Sequence, residues 1–484
     1  MRHITLKRAC PRRPDSQGAT QPGHRTPKRV TFMSTPGFDL ALARRLDQPG
    51  PCYTVYPTAD RFTGAFDARQ YAQHVSRRHV GGQHRRLSLN IHVPFCRTRA
   101  AIYLDHLERE LSLQSALCES GGLAVDQVHC SARSATFPSV PQMRRLMRSV
   151  RGSFRLADDH AGDFTIEVDP RFGDAPMVYA LRAMGFNRIS LWVRDFDPGA
   201  QRNGNLAHSA QQMAAVVDAA RAEGFRSINI DLVHGLPSQT IMSFNQTLSR
   251  VIDLAPDRIA LCTCAHPPRL SGPRGQNVEA ELPRAETRLD IFQLSVRRLR
   301  DAGYRYIGMD QYALPGDDLA VAQDRGRLGL NLMGYTSRPD TDIIGVGVSA
   351  LSSVGASYSQ NAADVITYCA ALDAGGLPIA RGIALGADDL LRRTVIHALI
   401  CHGMLHLPSI EQAYLIDFGH YFAGELAELE AFESAGLVTI EPGNKPEWIT
   451  VSPKGRNLMP CLCRLFDRSL TASGSLADSS AGGQ

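Results

Sequence analysis

From residue 87 onward, short runs of apolar and β-branched residues alternate with longer stretches whose apolar positions recur at helical spacing. The runs LSLNIHV (87–93), VDQVHC (125–130), DFTIEVD (163–169), NRISLWV (187–193), SINIDLV (227–233) and RIALCTC (258–264) predict strands, and YRYIGM (304–309) predicts a seventh. Between them the pattern predicts helices over 103–117, 140–150, 176–184, 208–222, 241–253 and 284–301. Strand–helix units repeated in this way read as parallel crossovers, and six in succession favour an α/β barrel or partial barrel over a two-layer sandwich. Functional groups are then expected at the C-terminal ends of the strands. His92, Cys96, Glu167, Asp169, Arg194, Asp195, Asp231 and His266 fall there.

After about residue 380 the pattern changes. DDLLRRTVIHALICHGML (388–405) and the apolar periodicity of 410–434 predict helices, and GLVTIEP, a turn and WITVSPKGRNLM predict a two-stranded hairpin and a last helix. This resembles a small, mainly helical, winged-helix-like domain. No basic recognition helix accompanies the wing, so nucleic acid is not an expected partner. The expected organisation is a basic extension over 1–33, an N-terminal segment over 34–86, the barrel over 87–380, the C-terminal domain over 381–470 and a Ser/Ala/Gly-rich tail over 471–484.

Composition narrows the picture a little. Of 484 residues, 43% are hydrophobic and 21% charged, which is the balance of a globular chain with a sizeable core. The net charge is only +5, and most of that surplus sits before residue 34, where Asp15 is the one acid. Met33 is an alternative start. No apolar run reaches the roughly 18 residues needed to span a bilayer. The 11 cysteines are scattered without a C-x-x-C pair, which fits reduced thiols and a cytoplasmic protein. Cys262-x-Cys264 and Cys461-x-Cys463 lack His or Cys partners at zinc-like spacing, and Cys10-Pro11 is a common dipeptide. His92 and His266 read as rim histidines with satisfied hydrogen bonds. GLPSQT (235–240) is a turn that caps a helix, with anion binding at the helix N-terminus as its other reading.

Several longer motifs occur in order: YTVYPTA (53–59), SLNIHVPFC (88–96), TIEVDPR (165–171), INIDLVHGLPSQT (228–240), PDRIALCTCAHPP (256–268), GYRYIGMD (303–310), GYTSRPDTDIIGVGVSAL (334–351), RGIAL (381–385) and VSPKGRNL (451–458). Together, over about residues 40–467, they resemble the oxygen-independent coproporphyrinogen III oxidase family of haem (porphyrin) biosynthesis, within the radical S-adenosylmethionine (SAM) superfamily. The resemblance implies a partial (β/α)6-type parallel barrel of the radical SAM kind. It also implies a [4Fe–4S] cluster on a C-x3-C-x2-C motif, SAM on the open iron, and oxidative decarboxylation of coproporphyrinogen III to protoporphyrinogen IX.

The same comparison exposes departures. Cys96 matches the first cluster ligand, but RTRAAIYLDHL follows it and the next cysteine is Cys118. A glycine-rich SAM loop would follow the second strand, where His129-Cys130-Ser131-Ala132-Arg133-Ser134-Ala135 contains no glycine. Asn90 replaces a SAM-contacting tyrosine, Trp192 and Arg194 replace a glycine and a glutamine, and Leu206 replaces an arginine. Glu167, Asp231, Ala265 and Leu351 still match the family's SAM positions, and Glu167 and Asp231 also read as structural acceptors at the barrel rim. The expectation is a monomeric, catalytically degenerate paralogue that keeps tetrapyrrole or partner binding. The alternative is an active dehydrogenase whose cluster uses other ligands, such as Cys130 or His92.

Overall fold

The predicted alternation of strand and helix is realised in the computed structural model, which describes residues 53–78, 86–93, 100–118, 124–131, 139–193, 195–196, 209–263, 283–443, 445–456 and 458–469. Six parallel strands follow one another in space as they do in sequence: β1 (Arg86–His92), β2 (Val125–Ser131), β3 (Asp163–Val168), β4 (Arg188–Val193), β5 (Ser227–His234) and β6 (Arg258–Thr263). Helix α1 (Ala68–Arg77) precedes them. The crossovers are α2 (Ala100–Cys118), α3 (Val140–Ser153), α4 (Ala175–Ala183), α5 (Ala210–Ala222) and α6 (Ile241–Asp253), and α7 (Ala285–Asp301) follows β6.

The two faces of this sheet differ in chemistry. On β4, Ile189, Leu191 and Val193 are at most 1% exposed and pack in the core shared with the helices. The alternate residues Arg188, Ser190 and Trp192 line the inner face. Burial of each large aliphatic side chain contributes about 1.5–3 kcal/mol, and this helix-facing layer supplies most of the driving force. Strands of a parallel sheet buried on both faces are ordinarily apolar throughout. The polar inner face therefore marks the lumen as the place where chemistry or binding is accommodated.

The sheet extends beyond the six expected strands. β11 (Thr341–Val346) lies parallel to β1, from Arg86 opposite Thr341 to Ile91 opposite Val346, so β1 is an interior strand. β12 (Leu351–Ser353), β13 (Ser357–Asn361) and β14 (Ile379–Ala384) continue that side as antiparallel neighbours, with α9 (Val365–Asp373) between the last two. On the other side, β8 (Gln311–Ala313) is antiparallel to β6, and the predicted seventh strand, β7 (Arg305–Gly308), pairs with β8 rather than with β6. Met309 and Asp310, both at positive φ (40° and 64°), make the two-residue turn between them. Such a turn matches the twist of a hairpin and reverses the chain where a crossover was expected. Helix α8 (Asp318–Asp324) leads to a separate hairpin, β9 (Gly329–Asn331) and β10 (Gly334–Thr336).

The C-terminal elements are α10 (Ala387–His402), α11 (Leu407–Tyr414), α12 (Phe418–Tyr421), α13 (Ala423–Ser434), α14 (Pro453–Arg456) and α15 (Met459–Leu465). The expected two-stranded wing has a third member: β15 (Met404–His406) pairs with β17 (Trp448–Val451), which pairs with β16 (Val438–Ile440). Their core also takes in Tyr53, Tyr56, Ile307, Leu319 and Leu330, so segments from the rest of the chain complete it. All described residues fall within one compact unit, Phe38–Gln484. The basic extension over 1–33 and the tail over 471–484 lie outside the described residues.

Candidate functional site

The inner faces of β2–β6, with the chain segment 330–337, line a cavity of about 410 Å³, within the size range of small-molecule sites. It is graded in polarity. At the N-terminal ends of the strands, Asp163 accepts hydrogen bonds from Arg188 Nε (2.9 Å), Arg226 (3.0 Å) and Arg338 Nε (3.1 Å). Burial opposes the charge on Asp163, but the three guanidinium groups outweigh it and hold its carboxyl below the usual range. Arg258 Nε donates to Asp317 at 2.9 Å, and Arg338 also reaches Asp126 at 3.2 Å. Arginines and aspartates are thus paired at this end of the strands.

Higher in the lumen are the two acids singled out in the sequence. Glu167 accepts from Ser131 Oγ at 2.9 Å, and His129 Nε2 lies 3.1 Å from its other oxygen. Asp231 accepts from Ser190 Oγ at 3.0 Å and from Asn229 Nδ2 at 2.9 Å. Both oxygens of each carboxylate thus contact neighbouring side chains. Trp192 and Cys262 line the same cavity. Asn90, His92 and Ser88 alternate with the core residues Leu87, Leu89 and Ile91 on β1. His92 donates from Nδ1 to Val348 O at 2.6 Å, which fixes its tautomer. Leu351 lies elsewhere. It packs beside Val55, Phe62, Tyr358 and Leu385 and does not line the lumen. Cys96, Arg133, Arg194, Leu206, Cys264, Ala265 and His266 are outside the described residues.

The crossover from β1 to α2 bears directly on the metal site. Counting C-x3-C-x2-C from Cys96 places its second and third thiolates at Ala100 and Tyr103, and both positions belong to α2. Tyr103 is 2% exposed. Its hydroxyl donates to His92 O at 3.0 Å and accepts from Val348 N at 2.9 Å, joining the C-terminal ends of β1 and β11. Its ring lies against Tyr368, centroid to centroid 5.6 Å. The second and third motif positions thus fall in the first turn of α2.

Cys130, the alternative ligand, faces away from the lumen. It sits with Val128 in the helix-side core at 0% exposure, and burial pushes its thiol up to about 12. A thiol held in its protonated form is a poor ligand. Among the described residues no group of three or more His, Cys, Asp or Glu side chains is placed to hold a metal ion. Cys463 is a core residue of the C-terminal layer, its thiol raised by burial.

The GLPSQT turn has a structural occupation. Gln239 is 3% exposed; its Oε1 accepts from Gly235 N at 2.7 Å and its Nε2 donates to Asp195 at 2.7 Å. Thr247 and the Phe196 N–H, the latter bonded to Thr247, link this group to α6. Thr240 caps α6, accepting from Ser243 N at 3.1 Å. Thr240→Ala is expected to cost about 1 kcal/mol in urea unfolding, as loss of a single cap does; an unchanged midpoint would show that the cap contributes nothing.

The β9–β10 hairpin lines the lumen, and neither it nor the β1–β11 pairing was legible as such in the sequence. The hairpin and β11 come from a stretch, 329–346, whose short strands lack a clear alternating signal. Thr336 on β10 accepts from Gln127 at 3.4 Å, bringing the hairpin across the strand ends.

No family model matches the chain. It is 41% identical over 458 residues to the oxygen-independent coproporphyrinogen III oxidase of Pseudomonas aeruginosa, covering 91% of this chain and 97% of the relative. It is 39% identical over 446 residues to the protein of the same name from Escherichia coli K12, covering 89% and 95%. The solved structure of the Escherichia coli coproporphyrinogen III oxidase, described as a radical SAM enzyme, superposes with a TM-score of 0.82 at 38% identity, covering 90% of this chain and 100% of that one. With identity and fold shared along nearly its whole length, the chain belongs to the oxygen-independent coproporphyrinogen III oxidase family.

Proposed function

We propose that this chain is a catalytically degenerate member of its family, retaining the barrel and the polar lumen but not the radical chemistry. The observation that carries this reading is the course of α2. A [4Fe–4S] cluster of this kind needs three thiolates on an accessible loop, whereas the motif positions after Cys96 fall on a helix whose Tyr103 is buried and bonded to two strand ends. The residues present do not fit the cluster, so no step is assigned to it.

The SAM positions support the same reading. Glu167 and Asp231 are engaged with His129, Ser131, Ser190 and Asn229. In this proposal they are structural acceptors that keep the buried polar lumen satisfied, since an unpaired buried carboxylate is far costlier than a paired one. Trp192, replacing glycine in the family pattern, adds bulk to the same wall. What the barrel retains is a shaped polar cavity, and a tetrapyrrole related to the substrate in the relatives' name is its proposed ligand.

Anaerobic reconstitution with iron and sulfide tests the proposal. Iron counting, visible absorption and EPR are expected to show no cluster, and SAM with a strong reductant is expected to give no 5′-deoxyadenosine above a protein-free control. Incorporation of about four irons per chain together with SAM cleavage would overturn it and establish a working enzyme with unusual ligands. Fluorescence titration with coproporphyrin III then reads tetrapyrrole binding separately from catalysis.

A further inference from the structure

A second cavity, of about 400 Å³, lies between the C-terminal helix α10 and the chain segments around β9 and the start of β11. It shares Thr54, Leu330 and Asn331 with the lumen cavity, and the rest of its lining is its own. Arg393 and His397 stand one turn apart on α10 and so share a face. Both line this cavity, together with Asn331 of β9 and Arg327 at its rim.

The polar groups there are under-used. His397 Nε2 is inaccessible to solvent and has no hydrogen-bond partner. Asn331 accepts from Met333 N through Oδ1 at 2.9 Å, which fixes its amide, yet its buried Nδ2 donates to nothing. Buried polar groups are paired in the great majority of cases, so two such groups lining one cavity call for an explanation. Among the described residues Arg393 is paired with no carboxylate; it donates to the Tyr358 hydroxyl at 3.2 Å and lies over that ring. Arg327 likewise has no acidic partner among the described residues, and it is exposed.

The acids nearby do not cancel this charge. Asp342 is fully buried against Arg78 at 3.1 Å and also accepts from Gly355 N at 3.0 Å. Asp340 is exposed at the edge. Beside these two acids, the space is lined by two guanidinium groups, an amide NH₂ and an imidazole. Planar guanidinium forks and N–H donors are the groups that recognise carboxylate and phosphate oxygens.

We propose that this cavity binds a small oxyanion, a carboxylate or a phosphate, against Arg393, Asn331 and His397. Burial, with help from Arg393, lowers His397 to about 3, so the imidazole is neutral near pH 7 and serves as a hydrogen-bonding group. The positive charge is supplied by the arginines. A ligand there would join the C-terminal helix to the β9 and β11 segments.

The test is isothermal titration of the full chain with succinate, citrate and inorganic phosphate at constant ionic strength. Saturable binding of at least one is expected. Arg393→Gln should weaken it about tenfold or more, as loss of a charge-assisted hydrogen bond does. Arg327→Gln, at an exposed position where folding is not at stake, should weaken it by a smaller factor, and it keeps the proposal testable if Arg393→Gln does not fold. Binding of succinate or citrate alone would identify a carboxylate ligand, and binding of phosphate a phosphorylated one. No saturable binding of any probe would overturn the proposal. So would binding that both arginine variants leave unchanged, or that Ser190→Ala in the lumen abolishes instead.

Discussion

Restoring the cysteine spacing by Ala100→Cys with Tyr103→Cys is expected to destabilise the protein by about 3–5 kcal/mol, the cost of truncating a large buried aromatic side chain, and not to restore a cluster. Tyr103 is 2% exposed and packs on Tyr368. It also closes two hydrogen bonds that span β1 and β11. Cysteine is too short to reach either partner, so the Val348 N–H would be left buried without its acceptor, adding to the cavity cost. The two new thiols would lie in the first turn of α2. Urea unfolding followed by circular dichroism, with iron counting after reconstitution, checks both parts. A variant that is as stable as the parent and takes up iron would show that α2 melts readily into a ligand loop. The reading of α2 as a fixed plug would then be wrong.

Glu110, two turns further along α2, should make stability fall as pH rises through the weakly acidic range. Its carboxyl is 0% exposed and accepts from Tyr368 Oη at 2.6 Å, Asn361 Nδ2 at 2.7 Å and Gly347 N at 2.8 Å. Burial dominates and raises its pKa from an ordinary 4.5 to about 7, although these donors, with Gln114, favour the charged form. Between those two values the folded protein holds a proton that the unfolded chain has released. Its contribution is therefore complete below about pH 4.5 and is lost as pH approaches 7. At about 1.4 kcal/mol per pH unit the loss amounts to roughly 3 kcal/mol. Glu110→Gln cannot titrate, and its unfolding free energy should show a correspondingly flatter profile from pH 4.5 to 7. Parallel profiles for parent and variant would mean that Glu110 is charged throughout and that its donors outweigh burial.

These two side chains belong to one device. Gly347, whose N–H bonds Glu110, has φ +108°, and an added Cβ would meet His92 O at 2.3 Å. The turn after β11 is thus pressed onto the end of β1, with α2 locking both from the outside. In the proposed reading the helix that replaces the cysteine loop is integrated into the fold, because the strand ends it joins would otherwise carry unpaired backbone groups.

Local sequence determined much of this protein. The six strand runs and the helices after them were legible because each apolar face repeats at the period of its element; 241–253, for example, is matched by Ile241–Asp253. The barrel class followed from the repetition of the units. The departure at the second and third cysteine positions was legible only against the motif that the family resemblance implies, which from Cys96 falls on Ala100 and Tyr103. Long-range pairing was not legible. That β11 lies beside β1, that β8 reverses against β6, and that β15 joins the C-terminal hairpin depend on contacts between residues far apart in the chain. Short strands of three to six residues carry too little pattern to reveal them. The states of Glu167, Asp231 and Cys130 were likewise undecided in sequence. A carboxylate reads the same whether it grips a ligand or a neighbouring hydroxyl, and a cysteine reads the same on either face of a strand. Only the tertiary structure sets which face each strand turns to the lumen and which donors converge on these side chains.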